Sequence, residues 1–293
     1  MNHISFDDTK TAFASKTDKQ LKNARFIFES MAKYWLVKVG LWITPLALKI
    51  GLPIKGLIKK TIFHQFVGGE TLEKTSFTVE NLAKFNVKVI LDYGVEGKEG
   101  EANFDNTVQE FLNVIEYAAN QPNIPFISVK LTGFARFDLL EKINRLSDYD
   151  KVISGKIALE KLDASEKAEW ERVVNRLFTI CQLASRSNVG VLIDAEETWI
   201  QNSVDAVATQ MMQQFNLEKA IIFNTAQLYR HDRLQFVKDC SAFAKENNFT
   251  PALKLVRGAY MEKERKRAAE MNYPSPINET KTETDAEFNA AVE

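Results

Sequence analysis

Cysteine is scarce in this sequence: Cys181 and Cys240 are the two in 293 residues, and no C-x-x-C spacing exists to make a zinc or redox pair. A chain this poor in cysteine reads as the product of a reducing compartment, expected here to be the cytoplasm. Histidine is nearly as rare. His3, His64 and His231 are scattered without the spacing of metal ligands, so no metal site is assigned. Glycine (12) and proline (7) are too few for a collagen-like or low-complexity chain. A membrane-spanning helix needs roughly 20 apolar residues. The most apolar stretch, Val39–Leu48, is ten residues long between Lys38 and Lys49. The first 25 residues are polar and lack the apolar region of a secretory signal. Charge of one sign is missing too: 38 Lys+Arg face 39 Asp+Glu, a net charge of -1 that leaves no broad cationic surface for nucleic acid.

What is present is enough to fold. Hydrophobic residues make up 45% and aromatics 11%, which excludes intrinsic disorder of the whole. After a polar lead of about 25 residues, Phe26–Phe63 interleaves aromatic and aliphatic residues with lysine and carries Pro45 and Pro53. Short helices broken near those prolines are expected. With Trp35, Trp42 and Phe63 beside Lys33, Lys38, Lys49, Lys55, Lys59 and Lys60, this arm reads either as an interfacial helix on an anionic membrane or as an arm packed against the main domain. Residues 1–63 are therefore taken as lead and arm, and 64–293 as the main domain.

Beyond the arm, short β-branched runs alternate with longer amphipathic stretches. Five strands are expected: Val87–Asp92, Phe126–Leu131, Val189–Asp194, Ala220–Asn224 and Ala252–Arg257. Between them lie helices with recognisable starts, such as Asp163 with Glu166 as a capping box. Strands separated by helices form a parallel sheet. Their ends recur at intervals of roughly 30 residues, the length of a βαβ unit, with one interval doubled by an inserted helix. No strand is followed by G-x-G-x-x-G, and no G-K-[ST] occurs, so a dinucleotide fold or P-loop is disfavoured and an α/β barrel is favoured.

Each strand carries a polar or ionisable group at its carboxyl end, where a (βα) barrel builds its active site. The set is Asp92 with Glu96, Lys130, Asp194 with Glu196 and Glu197, Asn224 with Gln227, and Lys254 with Arg257. Lys130 alternates with Val129 and Leu131, which directs it to the inner face, where Asp194 would be a partner. A lysine in such a place can hold a substrate carboxylate or act as a Schiff-base nucleophile, and both remain open at this level. Glu196 and Glu197, with no histidine nearby, read as a solvated carboxylate pair.

Seven motifs then fall in a fixed order: FVGGET (66–71), LDYGVEG (91–97), SVKLTG (128–133), LIDAEETW (192–199), NTAQLY (224–229), LKLVRGAYMEKER (253–265) and YPSPINETKTETDAEFN (273–289). In that order they resemble the proline dehydrogenase (proline oxidase) family. The resemblance implies a (βα)8 TIM-type barrel that binds FAD, oxidises L-proline to Δ1-pyrroline-5-carboxylate and passes electrons to a membrane quinone. It implies that Asp194 and Lys254 are catalytic. It further implies that Lys130, Leu255, Tyr260 and Glu96 border the substrate, and that Ala195, Gln227, Arg257, Gly258 and Ala259 contact FAD. A quinone acceptor would place the protein on the inner face of the cytoplasmic membrane, touching it through 26–63.

One departure from the family pattern stands out. The sequence stops at Glu293, after about five βα units, without the family's Phe-Ala-Thr-His-Asn strand and the final-helix arginine pair expected to grip the proline carboxylate. The expectation is an incomplete barrel, an N-terminal fragment with little turnover by itself. Outside this resemblance, a Schiff-base barrel aldolase using Lys130 or Lys254 and a non-catalytic remnant that binds a partner or membrane are the alternatives.

Overall fold

The computed structural model describes residues 7–51, 53–94 and 99–293. The chain divides into two compact units, Met1–Val89 and Ile90–Glu293, a boundary further along than the expected division after residue 63.

In the first unit the polar lead is partly helical. Thr17 and Gln20 cap each other: the Gln20 N–H donates to Thr17 Oγ1 at 3.3 Å, and the Thr17 N–H donates to Gln20 Oε1 at 2.8 Å. That reciprocal cap satisfies two otherwise orphaned N–H groups and starts α1 (Asp18–Met31). Helix α2 (Tyr34–Lys49) was expected to break at Pro45 and instead runs through it. Proline has no N–H for the carbonyl four residues back, a loss of about 3 kcal/mol in a helix interior. The strong helix formers Leu46, Ala47 and Leu48 carry the helix one further turn. Helix α3 (Leu72–Ala83) starts at Thr71, whose hydroxyl accepts the Lys74 N–H at 3.3 Å.

The second unit alternates strand and helix. Its elements are β1 (Ile90–Asp92), α4 (Glu101–Ala119), β2 (Phe126–Val129), α5 (Phe137–Leu146), α6 (Ala164–Ser187), β3 (Gly190–Ile193), α7 (Thr198–Phe215), β4 (Ile222–Gln227), α8 (Arg233–Glu246), β5 (Leu253–Val256), α9 (Met261–Met271) and α10 (Lys281–Val292). All five expected strands exist, four of them shorter than the sequence runs and β4 extended at its carboxyl end to Gln227. They pair in parallel in the order β1-β2-β3-β4-β5, the sequential order of a barrel wall, with β1 and β5 at the edges. The fold is α/β of TIM-barrel type. Helices α5 and α6 fill the doubled interval. The Asp163–Glu166 box caps α6, and Asn188 ends it in the left-handed region at φ 56°, a conformation asparagine tolerates better than most residues.

Period-two alternation sorts the strand side chains. Ile127, Val129, Val191, Ile193, Ile222 and Ala226 are at most 1% exposed and pack against the helices. Asn224 shares that outer face, and its amide donates to Asp205 Oδ1 of α7 at 2.9 Å. Asn224 is therefore not a rim residue, a correction that follows from its place in the alternation. Asp205 also accepts from Gln201 at 2.8 Å and from Arg233 of α8 at 2.7 Å, so one buried carboxylate joins β4, α7 and α8. Both cysteines are buried, and burial pushes their thiols well above the usual range.

Candidate active site

The inner face of the sheet collects the polar residues. Val129 pairs with Ile193, so the next residues, Lys130 and Asp194, stand side by side at the carboxyl edge. The Asp194 N–H donates to the Val129 carbonyl at 2.9 Å, which extends the ladder by that one step. Continuing the β3–β4 register sets Thr225 beside Asp194, and the Thr225 hydroxyl donates to the Ile193 carbonyl at 2.8 Å. Thr225 in turn pairs with Lys254. One row of the sheet thus reads Lys130, Asp194, Thr225, Lys254, all on the same face. Across it, Lys254 Nζ forms an ion pair with Asp194 Oδ1. One row below, the buried Ser128 hydroxyl has no hydrogen-bond partner among the described residues.

Above this row the turn after β3 is held from three sides. Glu196 is buried, not solvated: its carboxylate accepts the Thr132 N–H at 3.2 Å and the Thr132 hydroxyl at 2.5 Å. Burial raises its pKa to about 7; the Thr132 hydrogen bonds and the positive charge of Lys130 pull the other way, while Glu197 adds to the rise. Glu197 is also buried and is paired with Lys263 of α9. Gln227 Nε2 donates to the Glu196 carbonyl at 2.7 Å and to the Tyr229 hydroxyl at 2.9 Å. The Tyr229 oxygen also accepts the Tyr260 N–H at 3.4 Å, and burial pushes its phenol up to about 12. A chain of hydrogen bonds therefore runs from Thr132, past the end of β2, through the turn after β3 and the end of β4 to Tyr260, just before α9. Glu264 of α9 caps the start of α7, accepting the Thr198 N–H at 2.7 Å and hydroxyl at 2.6 Å.

The structure brings together Lys130, Asp194, Lys254, Gln227 and the backbone of Ala195 and Tyr260. It does not bring in all the others. Leu255 pairs with Ala226 and lies on the opposite face from Lys254. Arg257 follows that outer face: its guanidinium meets Asp285 of α10 at 2.9 Å and lies over the Phe288 ring at 4.8 Å. Gly258 and Ala259 are exposed on the turn after β5. Glu96 lies outside the described residues. One site residue escaped the sequence reading: Thr225, which was legible because alternation through NTAQ puts it on one face with Gln227. Glu196 was named among the strand-end groups but read as solvated, because its burial depends on Thr132, which is 64 positions away.

The proline dehydrogenase family profile matches residues 76–293, beginning past the FVGGET motif. The chain belongs to the proline dehydrogenase family. Among curated relatives, it is 35% identical over 228 residues to the carbapenem antibiotics biosynthesis protein CarD of Pectobacterium carotovorum, covering 78% of this chain and 56% of that protein. It is 30% identical over 273 residues to the mitochondrial proline dehydrogenase 1 of Dictyostelium discoideum, covering 84% and 48%. The chain thus spans about half the length of these relatives. Among solved structures, proline utilization A (PutA) from Bdellovibrio bacteriovorus superposes with a TM-score of 0.63 at 18% identity, covering 80% of this chain and 24% of that one, a likeness of fold.

Proposed function

We propose that this family member supplies the β1–β5 rim of a site that oxidises L-proline to Δ1-pyrroline-5-carboxylate with FAD, electrons passing on to a membrane quinone. The observation that carries the reading is the inner row Lys130, Asp194, Thr225, Lys254. The donor set suits a flavin and a zwitterionic substrate: two cations and one anion in one row, a buried Ser128 hydroxyl beneath them with no hydrogen-bond partner among the described residues, and an exposed Gly258–Ala259 turn after β5. FAD, when bound, supplies the two-electron acceptor.

The protein's own residues orient and polarise. Lys130 is a cation for the proline carboxylate. Lys254, held in place by Asp194, is a positive charge for the cofactor ring, where negative charge builds during reduction. Gln227, Ala195 and the Tyr260 backbone line the neighbouring rim. Because the Lys254 ammonium is engaged by Asp194, a Schiff-base role for it is the weaker alternative.

The test is to titrate the purified chain with FAD, add L-proline, and record the visible flavin spectrum. The expected result is FAD binding that Lys254→Ala weakens, with slow proline-dependent bleaching, well short of sustained turnover, that Asp194→Ala reduces about tenfold or more. A folded protein that ignores FAD, or one in which borohydride traps a carbonyl substrate on Lys130 or Lys254, overturns the reading.

A further inference from the structure

The turn after β3 carries one carboxyl that the proposed chemistry leaves without a task. Glu196 is 4% exposed, and both of its carboxylate oxygens accept from Thr132: one takes the N–H at 3.2 Å, the other the hydroxyl at 2.5 Å. Thr132 is two residues past Lys130, inside the short 3-10 turn Leu131–Gly133, which the Gly133 N–H closes on the Lys130 carbonyl at 3.1 Å. Glu196 therefore grips the turn that ends the strand bearing Lys130. Its own backbone is fixed as well. The Glu196 N–H donates to Gln201 Oε1 at 2.8 Å, its carbonyl accepts from Gln227, and Gln201 is tied to the buried Asp205.

Charged groups approach this carboxyl from several elements. Lys130 of β2 acts on it directly, and Asp92 of β1 lies a row lower, beside Ser128. Asp194 of β3 is held by Lys254, and Glu197 of the same turn by Lys263 of α9. Glu264 of α9 is engaged at the start of α7, and Arg230, which reaches Gln227, is paired with Asp232.

We propose that Glu196 sets the charge Lys130 presents, making carboxylate binding there proton-coupled: ionised, it offsets the lysine and repels an arriving carboxylate; neutral, it leaves the lysine's charge to the ligand. It acts through Lys130 and Thr132, as a positioning residue. The inference rests on the reading of Lys130 as the cation for the proline carboxylate. Because burial raises Glu196 to about 7, both forms are populated near neutral pH. A ligand carboxylate favours the neutral form, so a proton passes from solvent to Glu196 as the ligand enters. The Thr132 hydroxyl serves either form, donating to the carboxylate and accepting from the acid.

The probe is cyclopentanecarboxylate, a ring acid with no nitrogen to oxidise, titrated by calorimetry into the FAD-loaded protein from pH 6 to pH 8.5. Affinity should fall about tenfold across that range, with proton uptake read from the dependence of the heat on buffer ionisation enthalpy. Glu196→Gln should bind at every pH as the wild type does at pH 6, and take up no proton. Thr132→Val removes a hydrogen bond that favours the ionised form, so its midpoint should move to higher pH. In parallel, acetylation of Lys130 at pH 8 is followed by mass spectrometry against the exposed Lys245. Glu196→Gln should raise the Lys130 rate about fivefold, because a lysine deprived of a nearby anion loses its proton more readily. A Glu196→Gln binding profile parallel to the wild type overturns the proposal, as does an unchanged Lys130 rate. So does a loss of affinity by one factor at all pH in both variants, the mark of a purely structural clamp. No probe binding at any pH, with the fivefold change intact, defeats the reading of Lys130 as a carboxylate site and supports its coupling to Glu196.

Discussion

Glu196 is the residue whose environment and chemistry diverge most. A carboxyl that the fold raises to about 7 contributes its full stability below the ordinary glutamate range and loses it as pH climbs through about 7. Glutamine at this position imitates the protonated form and removes that dependence. Urea unfolding of wild type and Glu196→Gln should therefore coincide most closely near pH 4. Toward pH 8 the variant should become relatively more stable by up to roughly 3 kcal/mol. Parallel pH profiles would show that Glu196 is charged throughout. Asp194 bears on binding instead. It is a partly buried carboxylate with a cation in contact, and Asp194→Ala leaves the Lys254 ammonium in the site without this partner. The variant should therefore lose FAD or proline affinity more than it loses stability.

At the scale of elements, two contacts define the barrel wall. Gly190 of β3 lies under the Phe126 ring: a Cβ there would stand 2.2 Å from Phe126 Cδ1, and Phe126 is itself edge-on to Phe223 at 5.4 Å. Gly190→Ala should cost about 1–3 kcal/mol, read from the denaturation midpoint, because three strands share that layer. Behind β4, the Asp205–Arg233 pair is almost fully buried, and Arg233→Ala should cost about 3–5 kcal/mol by stranding the carboxylate. These elements also mark what the sequence made legible. The strands and the α6 cap were readable because alternation and capping are local. The run of α2 through Pro45 was not, because the cost of one proline is set against a whole helix. Neither was the side of the sheet Asn224 takes: its residue type suggested a rim amide, and its buried partner, Asp205, is 19 positions away. The row of Lys130, Asp194 and Lys254 could be listed from strand ends, but the choice of Lys254 as the partner of Asp194 depends on the register across β4.

At the scale of the molecule, the two units are joined by a stretch that is easy to cut. Helix α3 ends at Ala83 and β1 starts at Ile90, and the residues between include Asn86 in the left-handed region at φ 57°. Lys84 and Lys88 in that stretch are exposed and belong to no helix or strand. Proteases cut best where backbone is exposed and free of regular hydrogen bonding. Arginines in the second unit are held differently: Arg176 is buried and bonded to Asp105 at 2.7 Å and Glu101 at 2.5 Å, and Arg233 is buried against Asp205. Brief trypsin treatment should therefore release an early product that begins at Phe85 or Val89 and runs to Glu293. Mass spectrometry identifies its ends. Because the product keeps the buried Trp170 and the half-buried Trp199, its tryptophan emission should stay blue-shifted relative to the unfolded chain, and it should unfold in one cooperative step. Early cuts spread through α4 to α10 instead would mean that the second unit does not hold its structure without the first.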